Sequence, residues 1–110
     1  MLWRAGPGGI IERSADGGST WTVQPSGVVT DLTAGSALSD QICWIAGRSG
    51  TILRTIDGGK HWLKVASPTS EDLGSVFAVD DQQATVTTAS THKSYKTQDA
   101  GQTWSLLPTQ

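Results

Sequence analysis

The chain has 110 residues, a net charge of −2 and 16% charged residues, with 13 Gly and 5 Trp. A chain of this size makes one modest domain with a limited core. Its pI near 5.5 excludes the basic footprint of a nucleic-acid binder. No apolar run approaches membrane-spanning length, the first residues show no signal peptide, and the single Cys43 excludes an intrachain disulfide.

Read in order, the chain gives short strands and turns and no helical period of useful length, so essentially no helix is expected. Residues 3–25 supply three strands and residues 28–67 and 72–108 supply four each. We label the strands of a full unit A to D. In the second unit, A lies within 28–37, B is 43–47, C is 51–56 and D is 62–66, with Pro68 closing it. In the third unit, A is 73–79, B is 85–89, C is 94–98 and D is 104–107. Cys43, between Ile42 and Trp44, reads as a small buried hydrophobe.

One octet punctuates each unit. Ser14-Ala15-Asp16-Gly17-Gly18-Ser19-Thr20-Trp21, Thr55-Ile56-Asp57-Gly58-Gly59-Lys60-His61-Trp62 and Thr97-Gln98-Asp99-Ala100-Gly101-Gln102-Thr103-Trp104 share a pattern of hydroxyl, any, Asp, small, Gly, any, any, Trp. Asp16 to Asp57 is 41 residues and Asp57 to Asp99 is 42. A constant period of this size marks a repeat architecture. The upstream residues repeat too: Trp3, Ala5, Gly6, Gly9, Ile11 and Arg13 lie over Trp44, Ala46, Gly47, Gly50, Ile52 and Arg54. In the third copy Val86 falls over Trp44, and Ser90-Thr91-His92 replaces the glycine-bearing B–C turn, which predicts a longer or differently shaped turn there.

Each octet suits a C-to-D hairpin. The Asp carboxylate accepts nearby backbone N–H groups. Gly18, Gly59 and Gly101 take the position needing positive φ. The small residue before each leaves room for the backbone. Trp21, Trp62 and Trp104 present a large apolar face to the sheet or its neighbour. Because Asp16, Asp57 and Asp99 recur at the same turn, they read as structural rather than as metal ligands or catalytic groups.

These octets resemble the Asp box, or BNR repeat, of sialidases and other β-propellers. The longer run from Gly47 through Trp62 is similar to the propeller repeat of photosystem II assembly and stability factors and their bacterial relatives. The resemblance covers nearly the whole chain. It implies an all-β fold of propeller blades, each a four-stranded antiparallel sheet, with strand A near the axis and the boxes on the periphery. About two and three-quarter blades are present in a single 1–110 unit, an incomplete ring completed by oligomerisation or by a longer parent chain. The first blade's lack of strand A points to a cut through a parent. Apolar blade faces left uncovered would favour a dimer or trimer. The resemblance further implies a non-catalytic protein-binding or scaffolding module without cofactor, metal or nucleic-acid partner, extracytoplasmic in a bacterium if it follows the family.

A sialidase would need an arginine cluster, a Tyr nucleophile and acidic partners. Arg13, Arg54 and Lys96 instead repeat on strand C, and Tyr95 occupies the strand C position of Leu53 and Glu12, where it reads as packing. A glycan-binding or sialidase-like fragment, or an extracytoplasmic sensor domain, stand as alternatives. Arg48, His92 and Lys93 differ from copy to copy and fall at B–C turns. Variable charge on a rigid frame is where binding is expected, so these three mark the candidate binding face.

Overall fold

A computed structural model describes residues 2–107; the expected limits at 1, 108 and 110 lie outside the described residues. Among the described residues, eleven strands form three antiparallel sheets. The first holds β1 (Leu2–Ala5), β2 (Ile11–Ser14) and β3 (Thr22–Gln24). The second holds β4 (Leu32–Ala37), β5 (Cys43–Gly47), β6 (Ile52–Thr55) and β7 (Leu63–Lys64). The third holds β8 (Leu73–Ala78), β9 (Ala84–Thr88), β10 (Ser94–Thr97) and β11 (Ser105–Leu106). Strands are ordered within each sheet as they come in sequence, the meander of a propeller blade. Between strands, the only helical pieces among the described residues are single 3₁₀ turns at Pro7–Gly9 and Arg48–Gly50.

The blades stack face to face, and side chains alternate between the two faces of each sheet. Trp3, Ala5 and Ile11 of blade 1 meet Leu32, Cys43, Ile45 and Leu53 of blade 2. Trp44, Ala46 and Ile52 of blade 2 meet Leu73, Val76, Ala78, Ala84 and Val86 of blade 3. Strand β5 is therefore buried along its whole length. Its Trp44 has no exposed surface, and its indole N–H donates to the Asp80 carbonyl of blade 3 at 3.2 Å. Cys43 is buried as expected, which pushes its thiol up to about 12.

The end faces differ from these apolar interfaces. The face of blade 1 that no other sheet covers carries Leu2 and an Arg4–Glu12 ion pair at 2.9 Å, with the Arg4 guanidinium 4.1 Å from the Trp21 ring centre. The uncovered face of blade 3 carries Thr85 and Thr87 of β9, Ser94 and Lys96 of β10, and Phe77 of β8. Leu2 and Val23 on the first face and Phe77 on the third are exposed among these polar side chains, so each end carries some apolar surface.

Several boundaries shift for identifiable reasons. Strand A of blade 2 begins only at Leu32, because residues 28–31 serve the preceding turn: the Gly8 N–H donates to Asp31 Oδ1 at 2.9 Å. The outer strands β7 and β11 have two residues each, as exposed edge strands tolerate. In blade 3, Thr85 pairs with Lys96 as Trp44 pairs with Arg54, so Thr85 rather than Val86 holds the Trp44 place. The cause is one extra residue in the B–C turn. The Thr88 N–H donates to the Lys93 carbonyl, whereas the Gly47 N–H donates to Thr51.

Candidate functional site

The boxes come first, because they contain the titratable clusters. In each, the opening hydroxyl is the hub. Thr55 Oγ1 donates to Asp57 Oδ1 at 2.9 Å and accepts the Gly59 N–H at 2.9 Å. Ser14 and Thr97 make the same pair of bonds, to Asp16 and Gly18 and to Asp99 and Gly101. The Asp then reaches four residues on: Asp57 accepts the His61 N–H at 3.0 Å and faces His61 Nδ1 at 2.7 Å. Thr20 and Thr103 bond Asp16 and Asp99 through N–H and hydroxyl in the same way. These bonds hold all three carboxyls down at about 2. The leading causes are the Thr20 hydroxyl for Asp16, the His61 N–H for Asp57 and the Thr103 hydroxyl for Asp99.

Both small residues of the box are left-handed. Gly58 and Gly59 have φ of 74° and 86°, and Ala100 adopts φ 61° despite its Cβ. At Gly17 an added Cβ would meet open space, so conformation, not room, selects glycine there, whereas at Gly58 it would also lie 3.2 Å from the Asp40 carbonyl. The second has a separate reason. A Cβ at Gly59 would collide with the Gln24 amide of blade 1, and one at Gly101 with the Val65 side chain of blade 2.

Each box thus docks on the blade before it, and the Trp completes the contact. Trp62 Nε1 donates to Gln24 Oε1 at 3.1 Å, and Trp104 Nε1 to the Ala66 carbonyl at 2.8 Å. Trp21 turns its Nε1 to the Gly18 carbonyl of its own box. Each of the three is half-buried rather than a core residue. The box also bonds the A–B loop of its own blade, through Gly58 N–H to Gln41 and Ala100 N–H to Gln82. Among the described residues, no group of three or more His, Cys, Asp or Glu is arranged to hold a metal.

Arg48, His92 and Lys93 lie at the opposite end. The Arg48 N–H donates to the Asp31 carbonyl, and the Ser49 N–H to Asp72 Oδ1 at 2.8 Å, so B–C turns and D–A linkers share this end. Arg48 Nε lies 3.7 Å from Asp31 Oδ2, and Lys93 Nζ 3.8 Å from Glu71 Oε2. Glu71 also accepts the Thr91 hydroxyl at 2.9 Å. Consecutive Glu71 and Asp72 therefore bridge the B–C turns of blades 2 and 3. His92 is exposed, with φ 56°, where the earlier turn has Gly50 with φ 72°. The surface is one of mixed charge, its cations already facing carboxylates. Those carboxylates, Asp31, Glu71 and Asp72, were missed in the sequence, although Asp31 and Asp72 repeat at a spacing of 41.

Arg54 crosses between blades, its Nε donating to the Asp81 carbonyl and its Nη2 3.7 Å from Asp81 Oδ2. Tyr95 packs partly buried against the blade 2–blade 3 core. Arg54 and Tyr95 thus sit in and beside the blade 2–blade 3 interface, while Lys96 lies on the uncovered face of blade 3.

Short antiparallel meanders stacked face to face, each clasped to the last by a box, define consecutive blades of a β-propeller. The chain belongs to the family described as photosynthesis system II assembly factor YCF48, whose model matches residues 2–108. Among solved structures it is similar to YCF48 bound to D1 peptide, with a TM-score of 0.83 and 24% identity, over 96% of this chain and 35% of that one. It is also similar to YCF48 from Cyanidioschyzon merolae, with a TM-score of 0.82 and 29% identity, over 96% of this chain and 32% of that one. The chain therefore spans about a third of the length of these structures. No curated protein matches it.

Proposed function

We propose that the chain is a non-catalytic protein-binding module, and that the end formed by its B–C turns and D–A linkers receives an extended segment of a partner protein. The observation that carries the reading is family membership across residues 2–108, taken with a solved YCF48 that holds D1 peptide. Arg48, His92 and Lys93 on one side and Asp31, Glu71 and Asp72 on the other give this end both signs of charge, suited to a peptide backbone and polar side chains. The boxes are structural in this reading, since their polar groups are engaged within the turn. Fluorescence anisotropy with labelled D1 peptide tests it. Saturable binding that Arg48→Glu with Lys93→Glu weakens, in a protein that still melts cooperatively, supports it. Absence of binding overturns the D1-like reading, and binding indifferent to the double variant moves the site elsewhere.

Self-association as a dimer or trimer is a second reading, favoured by the exposure of Leu2 and Phe77 on the two end faces. Light scattering decides it, and a monomer across the accessible concentration range overturns it.

A further inference from the structure

The B–C turns of blades 2 and 3 are anchored on the linkers before them in the same way. Arg48 and Ala89 stand 41 residues apart. Each donates its backbone N–H to a linker carbonyl, Arg48 to Asp31 at 2.9 Å and Ala89 to Asp72 at 2.8 Å. Each linker carboxylate then spends one oxygen on the blade before. Asp31 Oδ1 accepts the Gly8 N–H at 2.9 Å, and Asp72 Oδ1 accepts the Ser49 N–H at 2.8 Å.

The second oxygen is where the copies part. Asp31 Oδ2 faces the Arg48 guanidinium at 3.7 Å. In blade 3 the place of that arginine belongs to Ala89, whose side chain ends at Cβ. Among the described residues no cationic side chain lies at ion-pair distance from Asp72. The lysine of the blade 3 turn is held by a different group: Lys93 Nζ lies 3.8 Å from Glu71 Oε2, and Glu71 Oε1 accepts the Thr91 hydroxyl. One blade earlier the place of Glu71 belongs to Thr30, which is uncharged and bonds the Thr51 hydroxyl at 2.8 Å. Asp31 and Arg48 therefore balance, whereas Glu71 and Asp72 against Lys93 leave one negative charge over. Asp72 is exposed. It lies over the seam between blades 2 and 3, away from the two end faces of the arc.

We infer that Asp72 is the docking point for an arginine of the partner segment, whose guanidinium takes on Asp72 the place that Arg48 takes on Asp31. This rests on the reading that the turn end receives an extended polypeptide, and it adds the chemistry of one side chain which that polypeptide carries. Charge complementarity selects a cation. A guanidinium fork matches a carboxylate in geometry, where an ammonium is a point charge. The seat is open to water, so the pair supplies selectivity more than affinity. An exposed ion pair is worth a factor of about two to five in binding, and salt weakens it.

The test is a chemical-shift titration of the whole chain with three end-blocked peptides, Gly-Ser-Gly-Xaa-Gly-Ser-Gly, in which Xaa is arginine, lysine or citrulline. The arginine peptide is expected to shift the Ser49, Asp72 and Ala89 amides at about millimolar concentration. At low salt it should bind about two- to fivefold more tightly than the uncharged citrulline peptide, with the lysine peptide between them and the preference lost at high salt. Asp72→Asn keeps an oxygen for the Ser49 N–H and should abolish the preference. Ala89→Arg supplies the missing cation within the chain and should abolish it too, with the carboxylate still in place. No shift at these amides, equal binding of the arginine and citrulline peptides, or a preference that survives both variants overturns the inference. Equal binding of the lysine peptide overturns the choice of arginine. Anisotropy with D1 peptide on the same protein reads the turn-end proposal separately. D1 peptide bound there with no arginine preference removes the seat alone, and an arginine preference without D1 binding removes the D1-like reading alone.

Discussion

Thr55 has no exposed surface, and its hydroxyl ties the Asp57 carboxylate to the Gly59 N–H. Thr55→Val keeps the shape and leaves that N–H unpaired, so it should cost about 1–3 kcal/mol in chemical denaturation, while Thr55→Ser should cost less. The carboxylates add a pH dependence whose sign is fixed. Asp16, Asp57 and Asp99 sit at about 2 when folded against 3.8 otherwise. Their contribution is therefore complete above 3.8 and lost as the pH falls towards 2. Melting temperature should drop across that window, and a triple Asp→Asn variant should flatten the drop. Ala100 holds a left-handed φ that Gly17 and Gly58 adopt freely. Relief of about 1–2 kcal/mol is opposed by about 0.4–1 kcal/mol of unfolded-chain entropy. A net gain in the melting temperature of Ala100→Gly is expected.

At the scale of the strand and turn, blade 2 is the element sandwiched on both sides. Trp44→Ala empties a fully enclosed site and should cost about 3–5 kcal/mol. Trp62→Ala removes a half-buried ring and one hydrogen bond to Gln24, and should cost clearly less in the same urea titration. Cys43 lies in the same strand with its thiol pushed up to about 12 by burial. It should resist a thiol reagent in the native protein and react on unfolding. The strands and hairpins were legible from the sequence because turn residues and alternation are local. Trp44 was legible in principle, since Trp3 repeats it. The register of β9 was not, because a single inserted residue in the B–C turn moves Thr85 into the Trp44 place. The clasp between blades was not either. Gly59 and Gly101 look like turn glycines until the Gln24 and Val65 side chains lying against them are seen.

The whole molecule is an arc of three blades measuring 42 × 25 × 23 Å. Its two ends do different work. The A–B loops and boxes hold each blade to itself and to the one before, with their carboxylates and hydroxyls spent on backbone groups. The B–C turns and D–A linkers share a repeated carboxylate, Asp31 and Asp72, that accepts a turn N–H, and otherwise change from blade to blade through Arg48, His92, Lys93 and Glu71. The separation of a repeated structural end from a more variable one is the reason binding is proposed at the latter. Amide hydrogen exchange of the chain, free and with saturating D1 peptide, tests that assignment most directly. Protection gathered at residues 47–50, 69–73 and 89–93, with the boxes at 57–62 and 99–104 unchanged, is the predicted result. Protection centred on the boxes would contradict it.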